Sequence, residues 1–206
     1  MTSHDFTVYT KQGIAYTRIS SLLKFLPNPE LDAWRMKVGT AVANREKKRS
    51  QQIGHEVDQA ITATLRGQLV PKVLKLKPEV VSALAGFHKW HHLNPIQPIA
   101  LQEPVYDEQL KIAGTPDCVC PEEALDWKAT NQLRWENVVQ VIAYWPMIEH
   151  TYGIKLKQYR LVRFDKFLAT WEEKVIPWQP AIHELIQHLV PVYHGWQALT
   201  AQLEVV

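Results

Sequence analysis

The sequence predicts an α/β or α+β domain in which one central mixed β-sheet is flanked by helices, on three observations. Apolar residues recur at helical spacing through 17–94, short alternating runs divided by turn residues take over at 96–176, and a last helical pattern closes the chain at 180–203. Composition agrees, because 46% hydrophobic and 21% charged residues over a length of 206 suffice for a sizeable core. That excludes disordered, collagen-like and coiled-coil chains. With no linker-like stretch, repeat or low-complexity tract, 1–206 reads as a single domain.

In order along the chain, Phe6 to Tyr16 alternates around a Lys11-Gln12-Gly13 turn and reads as a hairpin. Ile19 to Phe25 makes a short helical turn ended by Pro27 and Pro29. From Glu30 a long helical pattern carries Leu31, Trp34, Val38, Ala41 and Val42, and that spacing assigns Trp34 to the core. Ile53 to Leu65 continues as another helix, stopped by Gly67, and Lys77 to Leu93 is a third, opened by Pro78 and closed by Asn94-Pro95. Ile99–Tyr106, Leu110–Cys120 and Ala124–Ala129 then read as a strand meander. Leu133–Tyr152 is helical, Lys155–Phe164 and Phe167–Ile176 form a further hairpin, and Pro180–Leu203 is the closing helix.

Lys and Arg number 23 against 21 Asp and Glu, so a net charge of +2 does not announce a histone-like polyanion binder. Any such attraction is local. Residues 35–49 hold Arg35, Lys37, Arg45, Lys47, Lys48 and Arg49 against only Glu46, which makes this segment either a phosphate track or a solvated helix. Cys118 and Cys120 stand too close together to staple the fold; they read as small core residues and suggest a reducing compartment. Two cysteines cannot supply a four-cysteine iron–sulfur or zinc site. His91 and His92 point about 100° apart on a helix and read as surface residues. No signal or transit pattern opens the chain and no apolar run approaches about 20 residues, so the expectation is a cytoplasmic protein with no membrane span.

Carboxylates beside a lysine are the signature to seek for metal-assisted hydrolysis. The pattern acidic-x-Lys occurs at Glu46-Lys47-Lys48, Asp126-Trp127-Lys128 and Glu172-Glu173-Lys174. The first lies on a polar helix, where positions two apart do not face each other. The third is three consecutive charges, the texture of an exposed strand. Only Asp126 and Lys128 sit among interior-strand residues, Ala124, Leu125, Trp127 and Ala129, where buried charge is costly without partners. Period two puts Asp126 and Lys128 on one face and Leu125 and Trp127 on the other. Asp117 lies on the preceding strand; an even hairpin loop, for instance Glu122-Glu123, sets 117 opposite 128 and brings both aspartates and the lysine to one face. An odd loop breaks the site. A simple salt bridge is the competing explanation of these three residues.

Downstream, Gln140 and Tyr144 are four apart on one face of an apolar helix, and upstream Gly54-His55-Glu56-Val57-Asp58 places another carboxylate on a helix. These segments in this order, with Gly114-Thr115-Pro116-Asp117, resemble the RecB-type branch of the PD-(D/E)xK nuclease superfamily. The opening Arg18-Ile19-Ser20-Ser21-Leu22-Leu23, with Leu31-Asp32-Ala33-Trp34-Arg35 and Gly39, is similar to the subgroup of the mitochondrial genome maintenance exonuclease and related phage proteins. The similar stretch covers roughly Tyr16 to Ile176.

The resemblance implies a restriction-endonuclease-like core and a nuclease that hydrolyses DNA, an exonuclease on single-stranded ends or flaps. It implies that Asp117 and Asp126 ligate Mg²⁺ or Mn²⁺, that Lys128 orients the attacking water or steadies developing charge, and that Gln140 and Tyr144 support the site or touch DNA. The family's usual histidine is replaced by Asp58, itself a suitable hard ligand; His55 is the alternative, though helical geometry stacks 58 on 54 and not on 55. Ser20, Arg35, Arg45, Lys48 and Arg49 are the candidate DNA contacts, and Trp34 and Tyr16 are candidate stacking residues. The other functional reading is a nuclease-fold DNA-binding or regulatory protein whose catalysis has lapsed.

Overall fold

A computed structural model describes residues 8–68 and 76–203. Phe6 and Thr7 of the first hairpin lie outside the described residues. The elements are β1 (Val8–Lys11), β2 (Ile14–Arg18), α1 (Ile19–Leu23), α2 (Pro29–Val38), α3 (Thr40–Leu65) and α4 (Pro78–Leu93). Then come β3 (Ala100–Leu101), β4 (Val105–Asp107), β5 (Ile112–Gly114), β6 (Cys118–Val119), β7 (Glu123–Lys128), α5 (Trp135–Tyr152), β8 (Gln158–Phe164), β9 (Trp171–Ile176) and α6 (Pro180–Leu203). The mixed α+β class is as expected.

The single central sheet is not. Strands order as β1-β2-β5-β4 in one sheet and β3-β6-β7-β8-β9 in another, each mixing parallel and antiparallel neighbours. The division falls where the two long strands expected at 99–106 and 110–120 each break in two. Pro104 separates β3 from β4 and Pro116 separates β5 from β6; neither can donate a ladder hydrogen bond. Gln102, at φ 55, adds a left-handed residue to the first break. The β5–β6 segment therefore leaves one sheet and enters the other, and Asp117 emerges at the crossing.

The long helical pattern from Glu30 also divides. Gly39, at φ 82, ends α2, whereas α3 runs unbroken through the positions expected to begin a new helix at Ile53. None of α2 is buried, and Trp34 is 38% exposed, so its assignment to the core is corrected. Helical spacing defines a stripe; α3 packs against α2 but leaves this one only partly covered. Tyr16 is corrected in the opposite sense. It is 1% exposed, its hydroxyl donates to Glu108, and its face is not open to a base.

Two cores lie on either side of the β3-β6-β7-β8-β9 sheet. Cys118, Cys120, Leu125, Trp127, Val162 and Phe164 face α3 and α4. There Phe87 meets the Trp127 and Phe164 rings edge-on at centroid distances of 6.1 and 5.7 Å. Val119, Ala124, Tyr159 and Leu161 face α5, with α1 and α6 behind it. Adjacent residues of β6 and β7 thus enter different cores, as strand alternation requires. Both cysteines are buried as expected; their Sγ atoms lie 3.8 Å apart. His92 is exposed, whereas His91 is half-buried and stacks on Phe87 at 5.4 Å.

Candidate active site

The β6–β7 hairpin turns at Pro121-Glu122, where the Cys120 N–H donates to the Glu123 carbonyl over 2.8 Å. Cys118 pairs with Leu125 and Val119 with Ala124. The loop is even, so parity holds, but it lies one residue earlier than Glu122-Glu123. Carried one residue further, this register sets Asp117 across from Asp126 instead of across from Lys128. Asp126 and Lys128 leave the sheet on the α5 side, opposite Trp127, and alternation from Cys118, which faces α3 and α4, puts Asp117 on that side too.

Asp117 is fixed by two donors. The Trp127 N–H gives 2.7 Å to Oδ2 and the Gln102 side-chain amide gives 2.6 Å to Oδ1. Asp126 is 1% exposed and forms an ion pair with Lys128. Lys128 Nζ also lies 3.4 Å from Gln140 Oε1, and the Gln140 amide donates to the Tyr144 hydroxyl over 2.7 Å. The chain Asp126–Lys128–Gln140–Tyr144 therefore ties β7 to α5. Sequence reasoning missed Gln102, because the left-handed turn that aims its amide at Asp117 has no periodic signature.

Burial raises the Asp117 pKa well above the usual carboxylate range, and the charges of Asp126 and Asp58 raise it further. Asp58 on α3 is pushed up to about 7 by burial, with Lys128 pulling against and Asp126 adding to the rise. For Lys128, burial alone favours the neutral amine, but Asp126 and Asp117 outweigh it and its pKa rises. Tyr144 is raised by burial and then by Asp126. Three carboxyl groups and one ammonium therefore share one electrostatic field, in which the charge of each acid raises the cost of ionising the next.

Tyr159 on β8 is a second residue the sequence did not single out. It is fully buried, its hydroxyl has no hydrogen-bond partner among the described residues, and its pKa is raised by burial and then by Asp126, Tyr144 and Asp117. An orphaned hydroxyl next to mutually repelling buried carboxylates fits a site for a hard divalent cation with its water. The donors are all oxygen, and each Asp117 oxygen keeps a lone pair beyond its one hydrogen bond. The expected closure by Asp58 is not preformed: among the described residues no three His, Cys, Asp or Glu side chains gather into a cage. The Lys128 ammonium takes the Asp126 side of that space. His55 is exposed, bonded to Gln59 at 2.9 Å, and lines the same cavity as Asp58.

Cavities lie on two sides of this cluster. One, of about 540 Å³, has Asp58, Gln102 and Arg66 in its wall. The other, of about 1130 Å³, runs between α2–α3 and the start of α5, and reaches Gln140. Of the candidate DNA contacts, Ser20 and Arg35 line this larger groove. Arg45, Lys48 and Arg49 do not, and Arg49 is engaged by Glu79 and Glu46. The groove instead takes Lys47, Lys24 and Arg134. Helical phase carries the signal for Lys47, since 43, 47 and 50 share a face of α3.

The Glu172–Lys174 copy is structural. Lys174 is exposed as expected, but Glu173 accepts from Trp90 Nε1 at 2.7 Å and pairs with Arg160 at 3.6 Å, while Glu172 pairs with Arg163 at 3.0 Å. Among the described residues no helix is long and apolar enough to cross a membrane.

No protein-family model and no curated protein matches the sequence. Solved structures do match. A candidate exonuclease from Eubacterium rectale superposes with a TM-score of 0.51 at 14% identity, over 69% of this chain and 65% of that one. An alkaline exonuclease from Laribacter hongkongensis superposes with a TM-score of 0.51 at 12% identity, over 92% of this chain and 90% of that one. This chain thus spans just under two thirds of the first protein and nearly all of the second. At these identities the likeness is one of architecture: the chain shares the mixed α+β fold of these two exonucleases.

Proposed function

We propose that the protein is a metal-dependent DNA nuclease of the PD-(D/E)xK type, acting as an exonuclease on unpaired ends or flaps. The observation that carries the reading is the Asp117–Asp126 pair, two buried carboxylates, one just before β6 and one on β7, with the charged Lys128 between Asp126 and Gln140. A structural salt bridge needs one acid; a second buried acid beside it costs free energy that binding of a cation offsets.

Asp117 and Asp126 would hold Mg²⁺ or Mn²⁺, with Asp58 at the edge of the shell. The ion supplies a Lewis acid for a phosphate oxygen and a bound water of lowered pKa. Lys128 stays protonated and places its ammonium where charge develops as water attacks phosphorus and the P–O bond breaks. Gln140 holds Nζ in place and is itself held by Tyr144. Trp127 N–H and Gln102 aim the Asp117 carboxylate without neutralising it.

The test is an assay of end-labelled single- and double-stranded DNA with Mg²⁺ or Mn²⁺, run with the parent and Asp117→Asn. Progressive, metal-dependent shortening of the unpaired strand by the parent alone is the expected result. A parent that cuts no DNA with any divalent metal overturns the reading in favour of a lapsed, DNA-binding relative.

A further inference from the structure

The larger groove has a wall with no evident role in folding. α2 buries none of its ten residues, yet it is held in place: Asn28 caps it by accepting from the Leu31 N–H at 3.0 Å and donates to Glu136 at the start of α5. A tryptophan that keeps more than a third of its surface exposed leaves apolar area that packing does not use. Trp34 stands 38% exposed in the groove wall, and the groove ends at Gln140, the residue that holds Lys128.

Charge decides which part of a nucleic acid the groove takes. Its cations Lys24, Arg35, Lys47 and Arg134 are matched by Glu30, Asp32, Glu46 and Glu136. A groove with as many acids as bases offers phosphates no net attraction, whereas an aromatic face is sequence-tolerant towards any base. At about 1130 Å³ it exceeds the roughly 300–1,000 Å³ of a usual small-molecule site, as a polymer requires. A base within a duplex has both faces covered by its neighbours; only an unpaired base presents one to Trp34.

We propose that Trp34 is a base-stacking platform on the approach to the Asp117–Asp126 pair, so that the groove takes an unpaired strand with its bases inward and disfavours duplex. This rests on the nuclease reading and specifies the form of its substrate. The strand lies across α2, its bases against Trp34 and its phosphates towards solvent, before its backbone reaches Lys128.

The experiment measures fluorescence anisotropy of a labelled oligothymidine, a duplex of equal length and an abasic tract, with the full chain kept in chelator so that nothing is cut. Parent, Trp34→Phe and Trp34→Ala are compared, and equal melting temperatures show that each folds. Trp34→Ala is expected to weaken oligothymidine binding about tenfold, and Trp34→Phe to keep it within about threefold. Duplex and abasic binding should not change. Unchanged oligothymidine affinity in Trp34→Ala, or an equal loss on the abasic tract, overturns the platform. Cleavage by the parent with Mg²⁺ or Mn²⁺ is read separately: cutting with no effect of Trp34→Ala rejects the platform alone. A parent that binds oligothymidine through Trp34 but never cuts rejects the nuclease reading alone.

Discussion

The ring of Tyr144 occupies the space that a side chain at position 114 would need: a Cβ built on Gly114 comes within 2.0 Å of Tyr144 Cε1. The glycine of the Gly114-Thr115-Pro116-Asp117 stretch is thus the seat of the tyrosine that positions Gln140, and through it Lys128. Backbone on β5 and a ring on α5 are coupled by contact.

Gly114→Ala is therefore expected to overpack the site, costing about 1–3 kcal/mol of stability, and to lower any cleavage rate by displacing Tyr144. Gly54→Ala is the matched control. Nothing lies within 4 Å of a Cβ there, and it sits inside α3, so the change should stabilise by up to about 1 kcal/mol. Urea melts of both variants check this; equal effects would mean that Tyr144 yields readily.

Lys128→Met and Lys128→Arg separate charge from position. Loss of a preorganised group facing transition-state charge costs about 2.7–4 kcal/mol, so both variants should cut roughly a hundredfold or more slowly. A planar guanidinium does not replace a point charge held by Gln140. DNA affinity, measured in chelator, should change little. Lys128→Met also leaves Asp126 buried without its partner and should melt earlier; Lys128→Arg keeps the charge and tests the rate in a folded protein.

The metal-free protein should lose stability as pH rises. Asp58 titrates near 3.9 in an unfolded chain and at about 7 here, so between those values the folded state binds more protons than the unfolded one. Its contribution is complete below about pH 4 and is lost as pH climbs through about 7. Asp117, also raised, acts in the same direction. Thermal melts from pH 5 to 8 should fall, Asp58→Asn should flatten the fall, and Mg²⁺ should raise the melting temperature more at pH 8 than at pH 5.5. A melting temperature indifferent to Mg²⁺ at pH 8 would refute ligation by these aspartates.

The third acidic-x-Lys copy should prove inert in catalysis. Glu173→Ala removes the acceptor of Trp90 Nε1 and a partner of Arg160, and should cost about 1–3 kcal/mol of stability without changing cleavage per folded molecule. Lys174→Ala should change neither. A rate defect in Lys174→Ala that Asp126→Asn does not exceed would move the site to β9.

What the sequence determined by itself is what covalent geometry repeats. Alternation along β7 separates Asp126 and Lys128 from Trp127 whatever the rest of the chain does, and a spacing of four stacks Gln140 on Tyr144 in any α-helix. The count of acidic-x-Lys copies belongs to the same class, whereas the parity of the β6–β7 loop stayed open until the structure showed it even. Tertiary structure decided everything that depends on a distant surface. The turn at Pro121-Glu122 moved the register by one pair and set Asp117 facing Asp126. Pro104 and Pro116 split one expected sheet into two, because a missing N–H matters only once a neighbour is there to need it. The stripe through Trp34 was legible, but its burial was not, since a periodic face becomes core only when another element packs on it. Gln102 and Tyr159 reach the carboxylates through a left-handed turn and a parallel strand some 30 residues away from Asp126, contacts that no local period encodes.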